Sequence, residues 1–98
     1  MTSSTEKVQV HIWVSGRVQG VGFRAFVQQT AMLIGVTGWV RNVGADTVET
    51  VAEGEREKVE RFVQAVKRGP RLSLVEAVRE EWQPASGQFG AFEVRRSA

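Results

Sequence analysis

The run Gly16-Arg17-Val18-Gln19-Gly20-Val21-Gly22-Phe23-Arg24 sets three glycines ahead of an arginine. Glycines let successive backbone N–H groups turn into one small concavity, which is how a chain builds an anion nest. Arg24 adds a planar fork matched to two phosphate oxygens. A phosphate-sized dianion is the natural guest. The familiar phosphate loops do not fit. No Gly-Lys-Ser/Thr closes the run, so it is not a Walker A loop, and its glycine spacing departs from Gly-x-Gly-x-x-Gly. The chain has no cysteine, which removes the thiolate nucleophile of a cysteine phosphatase. Hydrolysis here would have to use water or a hydroxyl.

The flanking segments say where such a loop must sit. From Lys7 to Val14, the apolar residues Val8, Val10, Ile12 and Val14 recur at every second position, the pattern of a half-buried strand. Behind the loop, Phe23, Phe26, Val27, Thr30, Ala31 and Ile34 fall on one helical stripe, with Gly35 as the expected C-cap. The loop therefore joins a strand to a helix start, whose unpaired N–H groups and partial positive charge also favour an anion. Val36 to Val43 is rich in β-formers, Gly44 to Asp46 is turn chemistry, and Thr47 to Glu53 completes a hairpin. Glu55 to Lys67 reads as a second helix, with Val59, Phe62, Val63 and Val66 on one side. Its first turn is acidic, its last turn is basic, and Gly69-Pro70 stops it. Leu74 to Trp82 is a strand, and Ala91 to Arg95 a short last one. The order β-α-β-β-α-β predicts an α+β fold, the ferredoxin-like α/β sandwich, with two helices on one face of a mostly antiparallel sheet. In that topology the first two strands run parallel and finish at the same edge, so the glycine loop and Asn42 converge beside a helix N-terminus.

The nonapeptide followed by Gly38-Trp39-Val40-Arg41-Asn42 closely resembles the acylphosphatase family. The resemblance spans nearly the whole chain, through Val51-Ala52-Glu53-Gly54, Gly69-Pro70 and the closing Phe92-Glu93-Val94. It implies an enzyme that hydrolyses the carboxyl–phosphate anhydride of small acyl phosphates, with no metal and no cofactor. It also implies catalytic roles for Arg24, which binds the phosphate, and for Asn42, which positions the attacking water. The expected phosphate-binding set is Gly16, Arg17, Val18, Gln19, Gly20, Val21, Gly22, Phe23 and Arg24. Inorganic phosphate is expected as product and competitive inhibitor. The turn after Asn42 departs from the family pattern, because Val43-Gly44-Ala45-Asp46 carries its glycine early.

The remaining chemistry is thin. Ninety-eight residues make one domain, 1–98, with a polar leader over 1–6 that is expected to be flexible. Thirteen Lys+Arg against eleven Asp+Glu leave +2, too weak a bias to suggest nucleic acid or membrane as a partner. A cytoplasmic monomer is the expectation. His11 is the only histidine and shares the polar phase of the first strand with Gln9 and Trp13, so it reads as an exposed strand residue. Trp13, Trp39 and Trp82 read as cross-strand packing. Glu76, Glu80 and Glu81 read as a solvated strand face. Arg17 reads as a surface residue near the loop mouth, and Gln19 as a loop-stabilising hydrogen bonder. A non-catalytic anion-binding or regulatory module of the same fold is the alternative to the enzyme. The presence of Asn42 beside Arg24 favours the enzyme, since a binding module needs no water-positioner.

Overall fold

A computed structural model describes residues 6–98. The elements follow the expected β-α-β-β-α-β order, with the short closing strand added after it: β1 Lys7–Arg17, α1 Phe23–Ile34, β2 Thr37–Val43, β3 Thr47–Glu55, α2 Arg56–Arg68, β4 Leu74–Pro84 and β5 Phe92–Val94. The strands form one sheet in the order β4-β1-β3-β2-β5. Three of its pairings are antiparallel, and only β5 runs parallel to its neighbour β2. This is the ferredoxin-like sandwich the element order predicts. The polar leader expected over 1–6 lies outside the described residues except for Glu6. That residue accepts the Arg56 backbone N–H at 3.0 Å and ion-pairs with the Arg56 side chain at 2.9 Å.

Alternation decides which residues become core. Val8, Val10, Ile12 and Val14 of β1 join Val48 and Ala52 of β3, Val40 of β2 and Phe92 of β5 beneath the helices. Phe23, Val27 and Ala31 of α1 and Val59, Phe62, Val63 and Val66 of α2 close the layer from above. Each helix delivers these residues at i, i+3, i+4 or i+7 spacing, so one stripe is buried and the rest is solvated. Gly35 ends α1 in the left-handed region, its N–H bonded to the Ala31 carbonyl at 2.8 Å.

The other sheet face is more structured than the sequence led us to expect. Gln9 is buried, and His11 stacks on Trp13 with ring centroids 3.8 Å apart. His11 Nε2 lies 2.6 Å from Glu49 Oε2, while Arg41 Nε donates to Glu49 Oε1 at 2.7 Å. A carboxylate only accepts, so His11 presents Nε2–H to it. The reading of His11 as an exposed strand residue is thus corrected: the central strand β3 is covered on both faces and draws polar partners from its neighbours. Glu53 is buried too, accepting from Gln9 Nε2, from Ser86 N and Oγ and from Gly87 N, and so pinning the 85–87 loop. A second correction concerns β4. Glu80 sits opposite Ile12 on the helix side and pairs with Lys67 at 2.6 Å, whereas Glu81 sits opposite His11 on the outer side. They alternate and share no face. Trp39 packs under Arg41 and Arg95 on the outer side, but Trp82, opposite Val10, belongs to the helix side, so it cannot pack across strands with Trp13 or Trp39.

Candidate active site

β1 and β2 both pair antiparallel with β3, and therefore parallel to each other. Ser15 and Val43 both lie opposite Thr47 at the start of β3, so the glycine loop and the hairpin turn leave the sheet at the same end. At Gly16 the β1–β4 register shifts, and the strand carries φ 130° there. A Cβ at Gly16 would collide with the Leu74 carbonyl oxygen, so only glycine lets β4 lie this close where the loop begins. Gly22 then enters the helix in the left-handed region, with φ 78°. A Cβ at Gly22 would meet nothing within 4 Å, so backbone conformation rather than crowding selects glycine.

A cleft of about 340 Å³ opens where these segments meet. Val18, Gly20, Gly22, Phe23 and Arg24 contribute the loop side, and Asn42 reaches it from the end of β2. Asn42 stands opposite Val48, which places it on the helix side of the sheet. Ala25, Gln28 and Val94 complete the wall. These three were missed in the sequence. Gln28 follows Arg24 by one helical turn, a spacing that signals a shared face, and Val94 arrives only because β5 adds beside β2.

Four residues of the expected phosphate-binding set do not line the cleft. Gly16 gives its N–H to the Asp46 carbonyl at 3.1 Å, and Arg17 is exposed at the strand end opposite Leu74. Val21 is half-buried against the core. Gln19 turns the other way, its amide nitrogen donating to the carbonyls of Thr47 at 2.9 Å, Gly44 at 3.0 Å and Val43 at 3.3 Å.

The cleft is built for an anion. The first hydrogen bond of α1 runs from Phe26 N–H to the Gly22 carbonyl, which leaves the N–H groups of the preceding turn without intrahelical acceptors. No side chain caps them and no acidic residue stands in that turn. α2 also lacks a side-chain cap bond, but it carries Glu57 in its first turn, where α1 has no acid. Among the described residues no carboxylate pairs with Arg24, and no group hydrogen-bonds the Asn42 side-chain amide. Positive charge and a two-way hydrogen bonder thus face one space, each with its polar atoms free for a guest.

Comparison with known proteins gives the family. The family profile of acylphosphatase matches residues 10–94. The chain belongs to the acylphosphatase family. It is 45% identical over 96 residues to the acylphosphatase of Salinibacter ruber, covering 98% of this chain and 100% of that one. The crystal structure of acylphosphatase from Bacillus subtilis superimposes with a TM-score of 0.86 at 39% identity, over 90% of this chain and 98% of its own. Full-length HypF, crystallised in a phosphate- and nucleotide-bound form, contains a similar unit: TM-score 0.84 at 25% identity, covering 99% of this chain but 13% of HypF. The acylphosphatase fold is therefore used both as a whole small chain and as a part of a larger one.

Proposed function

We propose that the cleft hydrolyses the carboxyl–phosphate bond of small acyl phosphates, with Arg24 and the loop backbone holding the phosphoryl group and Asn42 positioning the water. Membership of the acylphosphatase family makes the chain an acyl phosphate hydrolase. The observation that carries the division of labour is the Asn42 amide, unpartnered among the described residues, sharing one cleft with Arg24 and the uncapped start of α1. Phosphoryl transfer needs little covalent help; its catalysis is mainly positioning and charge stabilisation. Arg24 and the N–H groups from Gly20 to Arg24 gather the equatorial oxygens. The Asn42 amide oxygen accepts a hydrogen bond from water and aims it opposite the leaving oxygen.

As the new P–O bond forms, the bond to the acyl oxygen breaks, and its electron pair leaves on the carboxylate. A carboxylate is a good leaving group, so no strong general acid is required. Asn42 is no base near neutral pH, and the water gives up its proton late, to the phosphoryl oxygens. The products are the free carboxylate and inorganic phosphate, and phosphate inhibits by occupying the same cradle. The enzyme works as a cytoplasmic monomer without metal or cofactor, and with neither nucleic acid nor membrane as partner. Among the described residues, no group of three or more His, Cys, Asp or Glu side chains is arranged to hold a metal ion, and no helix is long and apolar enough to cross a membrane.

The test is turnover of a small aromatic acyl phosphate by wild type and Asn42→Ala, each with and without EDTA. Wild-type turnover should survive chelation. Asn42→Ala should lose about 2.7–4 kcal/mol of transition-state stabilisation, roughly a hundred- to a thousand-fold in kcat, with phosphate affinity nearly unchanged. A folded Asn42→Ala protein with wild-type turnover would remove the water-positioning role, and activity restored only by magnesium would remove the metal-free mechanism.

A further inference from the structure

We propose that Gln19 is a positioning residue that sets Asn42 against the phosphate cradle by locking the glycine loop to the hairpin turn. This rests on the reading above, in which Asn42 aims the water. The loop and the hairpin are separate elements whose relative placement fixes the line from water to phosphorus. Gln19 is the side chain that joins them. It leaves from the middle of the loop, yet it bonds only to carbonyls of the turn region: Val43, next to Asn42, then Gly44 and Thr47. Three acceptors around one group fix the amide orientation, since only the NH2 end donates. Its two N–H bonds go to Thr47 and Gly44, with the longer Val43 contact shared between them.

The turn needs such a fastening. Gly44, Ala45 and Asp46 are exposed, and Gly44 adopts φ 60°. The loop and turn have one backbone bond between them, Gly16 N–H to the Asp46 carbonyl. It joins the base of the loop to the far side of the turn. Gln19 supplies a second tie that spans the turn, from Thr47 past Gly44 to Val43 beside Asn42. Ala98 steadies the turn from the C-terminal side, through the Asn42 carbonyl and the Gly44 N–H, but the registration of turn against loop falls to Gly16 and Gln19. Because Gln19 does not line the cleft, its influence on the reaction passes through geometry and not through contact with substrate.

The experiment compares Gln19→Met, Gln19→Glu, Asn42→Ala and the double variant Gln19→Met/Asn42→Ala by kcat, KM and phosphate inhibition, after thermal unfolding shows each to be folded. Gln19→Met keeps length and loses both donors. Gln19→Glu keeps shape but turns a carboxylate against three carbonyl oxygens. A misplacement of about 1 Å costs up to roughly a hundredfold in rate, so kcat should fall about ten- to a hundredfold in both, with phosphate inhibition little altered. Gln19→Glu should regain activity relative to wild type on acidification, as its carboxyl takes up a proton and donates once. In the Asn42→Ala background, Gln19→Met should cost little further, because the group it positions is gone.

Near-wild-type kcat in folded Gln19→Met and Gln19→Glu would overturn the proposal while leaving the role of Asn42 intact. Equal, fully additive losses in kcat and phosphate affinity would also overturn it, since they describe a loop scaffold and not a positioner of Asn42. Failure of the underlying reading shows separately, as wild-type turnover in the single Asn42→Ala variant.

Discussion

Arg24 and Glu49 are two charged residues with opposite arrangements. Arg24 faces the cleft, and among the described residues no carboxylate neutralises it, which on the proposed mechanism leaves its guanidinium for the phosphoryl group. Arg24→Ala should therefore lose both phosphate inhibition and turnover, and Arg24→Lys should recover little of either, because a point charge lacks the bidentate fork. Steady-state kinetics with phosphate as competitor reads both. Glu49 is the reverse, buried and saturated. Burial pushes its carboxyl pKa up, but hydrogen bonds from Arg41 and His11, with their charges, outweigh this and hold it below the ordinary value of 4.5. A carboxyl with a lowered folded pKa contributes stability that is complete above the unfolded value and is lost as pH falls through the folded one. Acid unfolding of wild type should accordingly steepen below the ordinary carboxylate range. Glu49→Gln should be less stable at neutral pH, with a flatter loss on acidification. Glu53 and Glu80 are lowered too, so the slope should shrink without vanishing. An unchanged urea midpoint from neutral to acid pH in wild type would contradict this account.

At the scale of elements, the sequence was most legible where a single periodicity ruled. The Val8-to-Val14 alternation and the two helical stripes predicted strand and helices to within a few residues, and β1 ran on to Arg17 only because Gly16 lets it bend instead of stop. Arg24 and Asn42 could be brought together from topology alone, since two parallel strands separated by one neighbour must end at one edge. Other relations depended on register. Glu49 meets His11 and Arg41 across 38 and 8 positions, and hydropathy assigns all three to solvent. Val94 enters the cleft wall through a three-residue strand too short to show a pattern. The Gly16 bend gives a prediction at this scale. Gly16→Ala adds a collision with the Leu74 carbonyl, roughly 1–3 kcal/mol by itself, to the backbone strain of φ 130°, with turnover falling as the loop shifts. Gly87→Ala is the comparison: φ is 73° but the space is open, so conformational strain alone, about 1–2 kcal/mol, applies and turnover should hold. Urea unfolding of the two variants with parallel assays separates crowding from strain.

At the scale of the whole molecule, the proposed site occupies one end and the packed core supports it. Loop, hairpin turn and helix start converge there, while the core lies between sheet and helices. Residues 95–98 also return to this end: the Ala98 N–H bonds the Asn42 carbonyl at 2.8 Å, and the Gly44 N–H bonds the Ala98 carbonyl at 3.0 Å. A ligand of that end should thus steady the entire fold. At a hundred times its dissociation constant, phosphate should add about 2.7 kcal/mol to the unfolding free energy. For a domain of this size each kcal/mol moves Tm by roughly 4–8 °C, so the shift is easily measured. Arg24→Ala should abolish most of it, and sulfate should mimic phosphate in part. A Tm insensitive to saturating phosphate would move the anion site elsewhere.

The bare start of α1 has a further consequence. Helices commonly gain stability from a capping side chain, worth typically about 1 kcal/mol, and this one forgoes it. A carboxylate installed at the first turn would serve the helix and block the guest, because both seek the same N–H groups. Selection for stability and selection for turnover therefore pull on this position in opposite directions. On the proposed mechanism, the phosphoryl group of substrate or product serves as the missing cap, and the first turn of α1 is completed only while the cradle is occupied.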